Sequence, residues 1–392
     1  PETVSTDFDE SDRLYFEELT FERIQDIADF EKPKGIVVSV GGQIANNLAI
    51  PLQRQGYPIL GTTASCIDRA ENRDKFSSLL HTLHIDQPPW QRVSSLSSAK
   101  QFAKECGYPL LIRPSYVLSG SAMNVVFQEE ELVKYLKEAA CISPDHPIVI
   151  SKFIENGKEF EIDGVADQGK IVVSAISEHV ENAGVHSGDA TIVLPPQKLY
   201  LETIRRAKRV AKTIVKALEI TGPFNIQFIA KDNAIQVIEC NVRASRSFPF
   251  VSKVAKTNFI EIAGELFLGK HKRRSYETLE LDYVGVKTPQ FSYQRLKGSD
   301  PVTGVEMAST GEVAAIADHY LEAFFASWLA TGQAIQGQNI LVSAPADFRH
   351  KLLEPLQKLA GQGWSLYTTQ GTHDFFAKRG VPSTLVYKIS EE

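Results

Sequence analysis

The chain has 392 residues, of which 43% are hydrophobic and 23% are charged, and its formal net charge at pH 7 is −6. This length and composition indicate a globular protein of two or three domains. The acidic balance argues against nucleic acid as a partner. No apolar run approaches the roughly 20 residues of a membrane-spanning helix, so we expect no membrane partner either.

The four cysteines occur without a paired spacing, which indicates reduced thiols in an intracellular compartment rather than disulfides or a zinc site: Cys66, Cys106, Cys141 and Cys240. The sequence begins at Pro1 without a methionine or a signal-like segment. We therefore expect it to be cut from a longer protein, so that any targeting segment would lie outside this sequence.

Strand and helix patterns alternate from the start of the chain. A β-branched run that ends in two glycines (34–42) is followed by a helix-like segment (43–56), a short strand (57–60) and helical apolar spacing from Asp68 to Ile85. This order predicts a parallel sheet with crossover helices. After Trp90 the pattern predicts two helices and three strands: helices at 95–106 and 129–140, and strands at 108–115, 122–127 and 147–154.

The middle of the chain changes to a period-two pattern. An alternating block at 158–181 predicts antiparallel hairpins, and a helix is predicted at 200–218. The polar stretch from Gly269 to Asp282 predicts a surface connection. Residues 339–389 follow a β-α-β-α-β order, which predicts the start of a further small domain.

Residues 224–241 form the most informative segment. Two strand-like runs flank a polar Lys-Asp-Asn turn. Because side chains alternate along a strand, a three-residue loop would place Gln227 on the same face as Glu239 and Asn241, whereas a two-residue loop would place them on opposite faces. We expect the three-residue loop, because it gives the hairpin one apolar face for a core and one polar face.

This polar face would supply one carboxylate and two side-chain amides, from Glu239, Gln227 and Asn241. Mg²⁺ prefers hard oxygen donors and usually takes one or two carboxylates. Arg243 and Arg246 would supply permanently charged, planar donors for phosphate oxygens. The alternative is a solvated strand edge with a surface arginine pair. From the residues alone this alternative and a metal–nucleotide phosphate site are about evenly balanced.

The stretch "IECNVRASRSFPFVSK" (238–253) resembles the metal-binding strand of ATP-grasp ligases, and more narrowly that of the large chain of glutamine-dependent carbamoyl-phosphate synthetase. Other stretches resemble the same family: "IDRAENRDKF", "RPSYVLSGSAMNVVF", "SEHVENAGVHSGDATIVLP" and "EMASTGEVA". The resemblance covers nearly the whole chain and points to the second of that enzyme's two synthetase units. Two stretches, "VENAGVHSGDAT" and "GPFNIQFIAKD", are similar to the multifunctional pyrimidine-pathway proteins of animals and fungi.

The resemblance implies an α/β fold that is α+β in part. It comprises an ATP-grasp fold preceded by a partial pre-ATP-grasp, Rossmann-like domain and followed by part of a small α/β effector domain. The implied boundaries are 1–70 for the pre-ATP-grasp domain, 71–270 for the ATP-grasp domain, 271–333 for the C-terminal portion of the synthetase unit and 334–392 for the start of a methylglyoxal-synthase-like allosteric domain.

The family pattern, carried onto this sequence, also implies roles for individual residues. Metal ions, Mg²⁺ or Mn²⁺, would be held by Gln227, Glu239 and Asn241. Arg243 and Arg246 would hold the transferring phosphate and act in catalysis together with Glu239. The substrate ATP would contact Arg73, Arg113, Lys152, Ile154, Glu159, Gly184, Val185, His186, Ser187, Gln227 and Glu239.

A further site is implied near the end of the chain. Thr369, Thr372 and Lys388 match positions that contact a phosphorylated effector, which would be a nucleotide or a sugar phosphate. Thr369 and Thr372 follow a predicted strand and precede a predicted helix, where exposed N–H groups and hydroxyls favour a phosphate. By the residues alone, the alternative is an ordinary strand-to-helix turn with Thr372 as the N-cap.

The activity implied by the resemblance is the MgATP-dependent phosphorylation of carbamate to carbamoyl phosphate for pyrimidine synthesis. The implied partners are the first synthetase unit, which delivers carbamate by an internal tunnel, and the glutaminase unit of the same enzyme. The full-length protein is expected to be a homo-oligomer in the cytoplasm, or alternatively in mitochondria.

Three alternative functions stay open: an arginine or urea-pathway synthetase, a degenerate ATP-grasp unit kept as a nucleotide-binding regulatory module, and a dinucleotide-dependent oxidoreductase. The last is suggested by "VVSVGGQIANN", which lacks the G-x-G-x-x-G pattern.

Overall fold

The computed structural model describes residues 9–114, 123–142, 148–271, 281–292 and 302–388. The chain forms two compact units, Pro1–Thr331 and Gly332–Glu392. The surface connection predicted at 269–282 lies mostly outside the described residues, and so does the middle of the "RPSYVLSGSAMNVVF" stretch. None of the helices in the described ranges is long and apolar enough to cross a membrane.

The N-terminal part of the first unit is mostly helical. It contains α1 (Phe21–Glu31), α2 (Gly42–Asn47), α3 (Ala49–Arg54), α4 (Ala64–Glu71) and α5 (Arg73–Thr82). The strand predicted at 34–42 is reduced to an isolated parallel bridge between Ile36 and Ile59. Residues 39–40 already form a turn, and Gly61 adopts a φ angle of 98°, so both segments leave the extended conformation close to the bridge.

The helical pattern from Asp68 to Ile85 is divided into two helices at Asn72. Asn72 is extended, with φ −77° and ψ 114°, and its side chain accepts a hydrogen bond from Lys75 N at 3.2 Å. Asparagine is favoured at such an N-cap because its oxygen satisfies an amide of the first turn. As a result Glu71 ends α4 and Arg73 begins α5 at the same corner of the unit.

The next segment folds as a four-stranded antiparallel sheet with strand order β1-β4-β2-β3. Its strands are β1 (Trp90–Val93), β2 (Leu110–Pro114), β3 (Asn124–Val126) and β4 (Ile148–Lys152), and its helices are α6 (Leu96–Cys106) and α7 (Glu129–Ile142). Phe102, Ile112 and Ile150 are buried in the core of this layer. The predicted helices and strands of this segment are confirmed.

A seven-stranded antiparallel sheet, with order β11-β10-β7-β6-β5-β8-β9, forms the larger layer of the first unit. Its strands are β5 (Lys158–Asp167), β6 (Lys170–Asn182), β7 (Ile192–Leu194), β8 (Gly222–Lys231), β9 (Ala234–Asn241), β10 (Val284–Phe291) and β11 (Ser309–Ala317). The helices of this segment are α8 (Leu201–Ala217), α9 (Phe248–Val254), α10 (Phe259–Phe267) and α11 (Tyr320–Ala330). The rings of Phe160 and Phe228 stack with centroids 5.1 Å apart, in a core shared with α8.

The β8–β9 hairpin differs from the prediction in its loop and agrees with it in its faces. Lys231 pairs with Ala234, so the loop has two residues rather than three, and both of them, Asp232 and Asn233, have positive φ angles. Such a turn matches the twist of a hairpin. A β-bulge then shifts the register between Gln227 and Phe228, which leaves Ile238 as an extra residue. The bulge returns Gln227 and Glu239 to the same face of the hairpin. Gln227 lies opposite Glu239, and Asn225 lies opposite Asn241.

The second unit contains a three-stranded parallel sheet with order β12-β13-β14. Its elements are β12 (Asn339–Val342), α12 (Arg349–Gly361), β13 (Ser365–Thr369), α13 (Gln370–Ala377) and β14 (Thr384–Val386). Leu356, Leu366 and Phe376 lie in its core. The predicted β-α-β-α-β order is confirmed.

The turn of the β8–β9 hairpin provides a test of this geometry. Asn233 has φ 63°, a conformation that glycine adopts freely and that a β-branched residue adopts at a cost of about 1–2 kcal/mol. We expect Asn233→Val to increase amide hydrogen exchange along β8 and β9 and Asn233→Gly to leave it close to wild type. Equal exchange in the two variants would contradict the two-residue turn.

Candidate functional site

A pocket of about 710 Å³ lies within the first unit. Its wall combines the 41–43 turn, the α4–α5 junction, both sheets, the 183–188 loop and the segment that follows β9. Every residue predicted for the metal, the nucleotide and the transferring phosphate lines this pocket: Arg73, Arg113, Lys152, Ile154, Glu159, Gly184, Val185, His186, Ser187, Gln227, Glu239, Asn241, Arg243 and Arg246. The fold thus brings together residues from widely separated parts of the sequence.

The polar face of β8 and β9 forms one side of the pocket. We call Asn225, Gln227, Glu239 and Asn241 the Glu239 patch. Asn241 Nδ2 donates to Glu239 Oε1 at 3.0 Å, and Gln227 Nε2 donates to Ser187 Oγ at 3.2 Å. Asn225, which the sequence analysis did not single out, follows from the same alternation because it lies two residues before Gln227 on β8.

Three arginines surround the carboxylate of Glu239. Burial by itself raises the pKa of Glu239, but Arg113, the hydrogen bond from Asn241, Arg73 and Arg243 together hold that pKa below its ordinary value. The carboxyl group is therefore ionised at neutral pH. It presents a fixed negative charge to the pocket.

Arg73 and Arg113 keep hydrogen-bonding capacity for a ligand. Arg73 donates to the carbonyl of Ile238, and burial, followed by the nearby Arg113, lowers the pKa of Arg73 to about 9. The Nε atoms of both arginines are buried and have no partner among the residues that the structure describes. A buried donor without a partner is costly, and both arginines line the pocket, so their guanidinium groups suit an anion there.

Arg243 and Arg246 follow β9 but have different surroundings. Arg243 donates from Nη2 to Asn241 Oδ1 at 3.4 Å and from Nε to Gln43 Oε1 at 3.2 Å. Arg246 donates to Ser309 Oγ at 3.0 Å and lies 3.4 Å from Glu312. Arg243 is therefore joined to the Glu239 patch, whereas Arg246 is held by β11.

Gln43 and Glu71 are polar groups of the pocket wall that the sequence analysis did not predict. Gln43 Nε2 donates to Glu71 Oε2, and Asn46 Nδ2 donates to Glu71 Oε1, both at 2.9 Å. Burial raises the pKa of Glu71, while Arg243 and these hydrogen bonds act in the opposite direction. Gln43 thus connects a buried carboxylate to the guanidinium of Arg243. Its position 200 residues before Arg243 gave no local signal in the sequence.

The other predicted nucleotide contacts line the same pocket. Lys152 Nζ donates to the carbonyls of Gly107 and Tyr108 at 3.2 and 2.7 Å. Glu159 lies 3.5 Å from the buried His179. His186 Nδ1 accepts from Gly188 N at 3.0 Å, and burial lowers the pKa of His186. A neutral His186 that stabilises its own turn agrees with the structural role that a lone histidine usually has.

The donor set of the Glu239 patch fits Mg²⁺ or Mn²⁺ by its chemistry. It offers one ionised carboxylate together with amide oxygens of Gln227 and Asn241, which are hard donors. No group of three or more His, Cys, Asp or Glu residues that could hold a metal occurs in the described ranges. Water or phosphate oxygens would therefore have to complete the coordination, as is usual for Mg²⁺.

The three predicted effector residues of the second unit differ in their burial and in their hydrogen-bond partners. Thr369 is the N-cap of α13, and its hydroxyl donates to Ser343 Oγ at 3.1 Å. Thr372, expected to expose its hydroxyl or to be the N-cap, does neither. It is fully buried, and its Oγ1 accepts from Ala344 N at 3.2 Å because α13 packs against that loop. Lys388 is exposed just after β14.

Arg349 is a further basic group near this turn that the sequence analysis missed. Arg349 Nη2 lies 2.7 Å from where a Cβ atom of Gly371 would be, and its Nε donates to the carbonyl of Ala344 at 2.9 Å. The lack of a side chain at Gly371 leaves room for this guanidinium beside the start of α13. The turn therefore combines helix N–H groups with a fixed positive charge.

The electrostatics of Glu239 give a testable prediction. Arg113→Gln removes the strongest influence that lowers the pKa of Glu239, so this pKa rises. We expect MgADP to bind about tenfold more weakly or worse, from the loss of a charge-assisted hydrogen bond. The affinity should also fall more steeply than in wild type as the pH decreases from about 8 to 5.5, because the carboxylate becomes protonated at a higher pH.

Calorimetric titration at several pH values would measure this effect. Arg209→Gln is a matched control, because Arg209 is an exposed arginine whose partner is the exposed Glu202. Parallel pH profiles for wild type and Arg113→Gln would show that Arg113 does not set the ionisation of Glu239.

Two family descriptions match the chain. Residues 72–273 match the carbamoyl-phosphate synthase L chain, ATP binding domain, and residues 1–69 match the carbamoyl phosphate synthase preATP-grasp domain. The biotin carboxylase domain of the 2-oxoglutarate carboxylase of Hydrogenobacter thermophilus has the same fold, with a TM-score of 0.66, 17% identity, and coverage of 81% of this chain and 80% of that one. The predicted fold class, a mixed α/β ATP-grasp fold preceded by a pre-ATP-grasp domain, is confirmed.

The chain is also similar to much longer proteins. It is 55% identical over 388 residues to the multifunctional protein pyr1-3 of Dictyostelium discoideum and 54% identical over 383 residues to the multifunctional protein URA2 of Saccharomyces cerevisiae. These matches cover 98% and 97% of this chain but 17% of each relative. It is 49% identical to the mitochondrial carbamoyl-phosphate synthase [ammonia] of Rattus norvegicus over 398 residues, which cover 100% of this chain and 26% of that protein. The chain belongs to the carbamoyl-phosphate synthase large-chain family, of which it contains the pre-ATP-grasp and ATP-grasp domains.

Proposed function

We propose that the chain is the second synthetase unit of a carbamoyl-phosphate synthetase and that it transfers the γ-phosphoryl group of ATP to carbamate. A carbamate oxygen forms a bond to the γ-phosphorus while the bond from that phosphorus to the β,γ-bridging oxygen breaks. The products are carbamoyl phosphate and ADP. The observation that carries the proposal is the Glu239 patch, whose carboxylate and amides lie in one pocket with Arg73, Arg113 and Arg243.

Phosphoryl transfer depends mainly on positioning and on charge stabilisation. Arg73 and Arg113 line the pocket, where their guanidinium groups would donate to phosphate oxygens. Arg243 is joined to Asn241, so its guanidinium stands next to the metal-binding groups where the phosphoryl group would pass. Arg246 is assigned to the same phosphate, although it first has to leave Ser309 or share its donors with it.

Gln227, Glu239 and Asn241 would hold the Mg²⁺ or Mn²⁺. When bound, the metal neutralises charge on the β- and γ-phosphates. Lys152, Ile154, Glu159 and residues 184–187 line the same pocket and would hold the adenosine part of ATP. Carbamate is already an anion, so the reaction needs no general base, and no such role is assigned to His186 or His179.

The pathway and the partners form the second part of the proposal. We assign the unit to pyrimidine synthesis in a cytoplasmic, homo-oligomeric multifunctional protein, on the basis of its similarity to pyr1-3 and URA2. The rat ammonia-dependent synthase is nearly as similar, so the arginine or urea pathway is the alternative. In either case carbamate would come from a first synthetase unit supplied by a glutaminase.

A degenerate ATP-grasp unit that only binds nucleotide is the second candidate function. The ionised Glu239 and the arginines around it speak against this role, because nucleotide binding alone does not require a group beside the transferring phosphate. An oxidoreductase was suggested by the glycine turn at 41–43. This turn lines the same pocket as the Glu239 patch, which disfavours a separate dinucleotide site.

The reverse reaction tests the proposed function. In the full-length enzyme, Glu239→Gln should lower ATP formation from ADP and carbamoyl phosphate by at least about 100-fold, because an amide cannot replace the anionic metal ligand. Glu202→Gln is a matched control, since Glu202 is exposed and lies outside the pocket. If Glu239→Gln retained full ATP formation, the assignment of Glu239 would be wrong.

The second unit gives a separate prediction. We propose that residues 334–392 bind a phosphorylated effector through the start of α13, with Thr369, Lys388 and Arg349 around it and with Thr372 supporting the turn from beneath. In the full-length enzyme, Thr369→Ala combined with Lys388→Ala should weaken the response to nucleoside triphosphates or sugar phosphates about tenfold or more. Basal turnover should stay unchanged.

Lys358→Ala is the control for this experiment, because Lys358 is an exposed lysine of α12 that pairs with the exposed Glu354. Dose–response curves for a panel of both compound classes would be measured. Identical curves for the double variant and the control would leave the start of α13 as an ordinary strand-to-helix turn.

A further inference from the structure

Asp163 lies next to the Glu239 patch, and the proposed reaction gives it no role. It stands on β5 directly opposite Asn225 and is fully buried. We propose that Asp163 is a positioning residue that fixes the 243–247 segment and thereby holds the guanidinium of Arg243 beside the patch. The inference rests on the proposed function, because it explains how the phosphate contact assigned to Arg243 is kept in place.

The carboxylate of Asp163 holds this segment directly at two points. Ser245 Oγ donates to Asp163 Oδ1 at 2.5 Å, and Ser247 Oγ donates to Asp163 Oδ2 at 2.7 Å. The two serine hydroxyls are also 2.8 Å apart. Both oxygens of one buried carboxylate are thus engaged by the segment that begins at Arg243.

A second connection reaches Arg243 through the sheet. Asn225 Nδ2 donates to Asp163 Oδ1 at 2.9 Å, and Asn241 Nδ2 donates to Asn225 Oδ1 at 3.5 Å. Arg243 Nη2 then donates to Asn241 Oδ1 at 3.4 Å. The first connection fixes the segment at the positions two and four residues after Arg243, and the second reaches the guanidinium of Arg243. Both connections begin at the same carboxylate.

Ser247 shows that the contact with Asp163 is not ordinary helix capping. Ser247 occupies the N-cap position of α9, where a serine oxygen commonly accepts from an amide of the first turn. Its side chain makes no such cap bond and donates to Asp163 instead. The next residue, Phe248, is 1% exposed in the core, so the far end of the segment is immobilised by packing as well.

The arrangement is unfavourable for stability, which argues against a role in packing alone. Asn225 Nδ2 also donates to Glu161 Oε2 at 2.9 Å, and the buried Oε1 of Glu161 has no partner among the described residues. Burial, followed by the nearby Glu161, raises the pKa of Asp163 to about 7. Two adjacent buried carboxylates disfavour the ionised folded state. A neutral side chain would fill the same space at lower cost, but an asparagine could not accept from all three donors.

The test compares four variants of the full-length enzyme by their formation of ATP from ADP and carbamoyl phosphate. They are Asp163→Asn, the double variant Ser245→Ala with Ser247→Ala, the conservative Ser245→Thr, and Ser327→Ala. Ser327 is the matched control, because it is a buried hydroxyl of the same unit that pairs with Thr288 at 2.7 Å and lies outside the pocket. The serine variants keep the inference testable if Asp163→Asn does not fold.

We expect the turnover number of Asp163→Asn and of the double serine variant to fall about 10- to 100-fold, the cost of a small misplacement of a catalytic group. MgADP affinity should change less than about twofold, because Arg73, Arg113 and Lys152 keep their contacts. Ser245→Thr retains a hydroxyl and should recover most of the turnover. Ser327→Ala should lower the thermal midpoint without lowering the turnover number.

A double-mutant cycle with Arg243→Lys separates positioning from stability. If Asp163 acts through Arg243, the serine substitutions should lower turnover by less than about twofold when Arg243→Lys is already present. Multiplicative losses in the combined variant, or a lower thermal midpoint with unchanged turnover, would overturn the inference.

The same experiment distinguishes failure of the inference from failure of the proposed function. If Arg243→Lys and Glu239→Gln strongly lower ATP formation while the serine substitutions do not affect it, only the role of Asp163 is wrong. If Arg243→Lys retains full ATP formation, the phosphate contact assigned to Arg243 is wrong and the inference fails with it.

Discussion

The ionised carboxylate of Glu239 is the constraint on which the rest of the pocket depends. A carboxylate removed from water needs compensating positive charge, and Glu239 obtains it from Arg113 on β2, Arg73 on α5 and Arg243 after β9. The small sheet, the α4–α5 junction and the large sheet therefore have to be in place together. Arg73, Arg113 and Arg243 also line the pocket, so the residues that stabilise the carboxylate are the same ones that we propose for phosphate binding.

The hairpin illustrates how a sequence pattern predicts faces better than it predicts turns. Period-two alternation correctly placed Gln227 with Glu239 because the buried apolar residues of β8 fix which side faces the core. The loop length was wrong, since a two-residue turn and a bulge at Ile238 give the same parity as a three-residue loop. Hydrophobic pattern alone does not distinguish these solutions, because the bulge changes local twist rather than burial.

Contacts between distant segments were the part that the sequence could not predict. The family resemblance named residues expected to contact the metal and the nucleotide, and the structure gathers these residues in one pocket. It named neither Gln43, which lies 200 positions from Arg243, nor Asp163, which lies 82 positions from Ser245. These groups act on other side chains, so their residue types and spacing carry no chemical signature. They become visible only when the fold has placed their partners.

Asn72 has a mechanical consequence for this site. Because Asn72 interrupts the helix, α4 and α5 are two separate helices that meet at this residue. Glu71 belongs to α4, which is linked by hydrogen bonds to α2 and, through Gln43, to the guanidinium of Arg243. Arg73 belongs to α5, and its guanidinium donates to the carbonyl of Ile238. A rotation of α4 about Asn72 would therefore move the hydrogen-bonded partners of Arg243, which we propose meets the transferred phosphoryl group, without moving Arg73, which we propose binds the nucleotide.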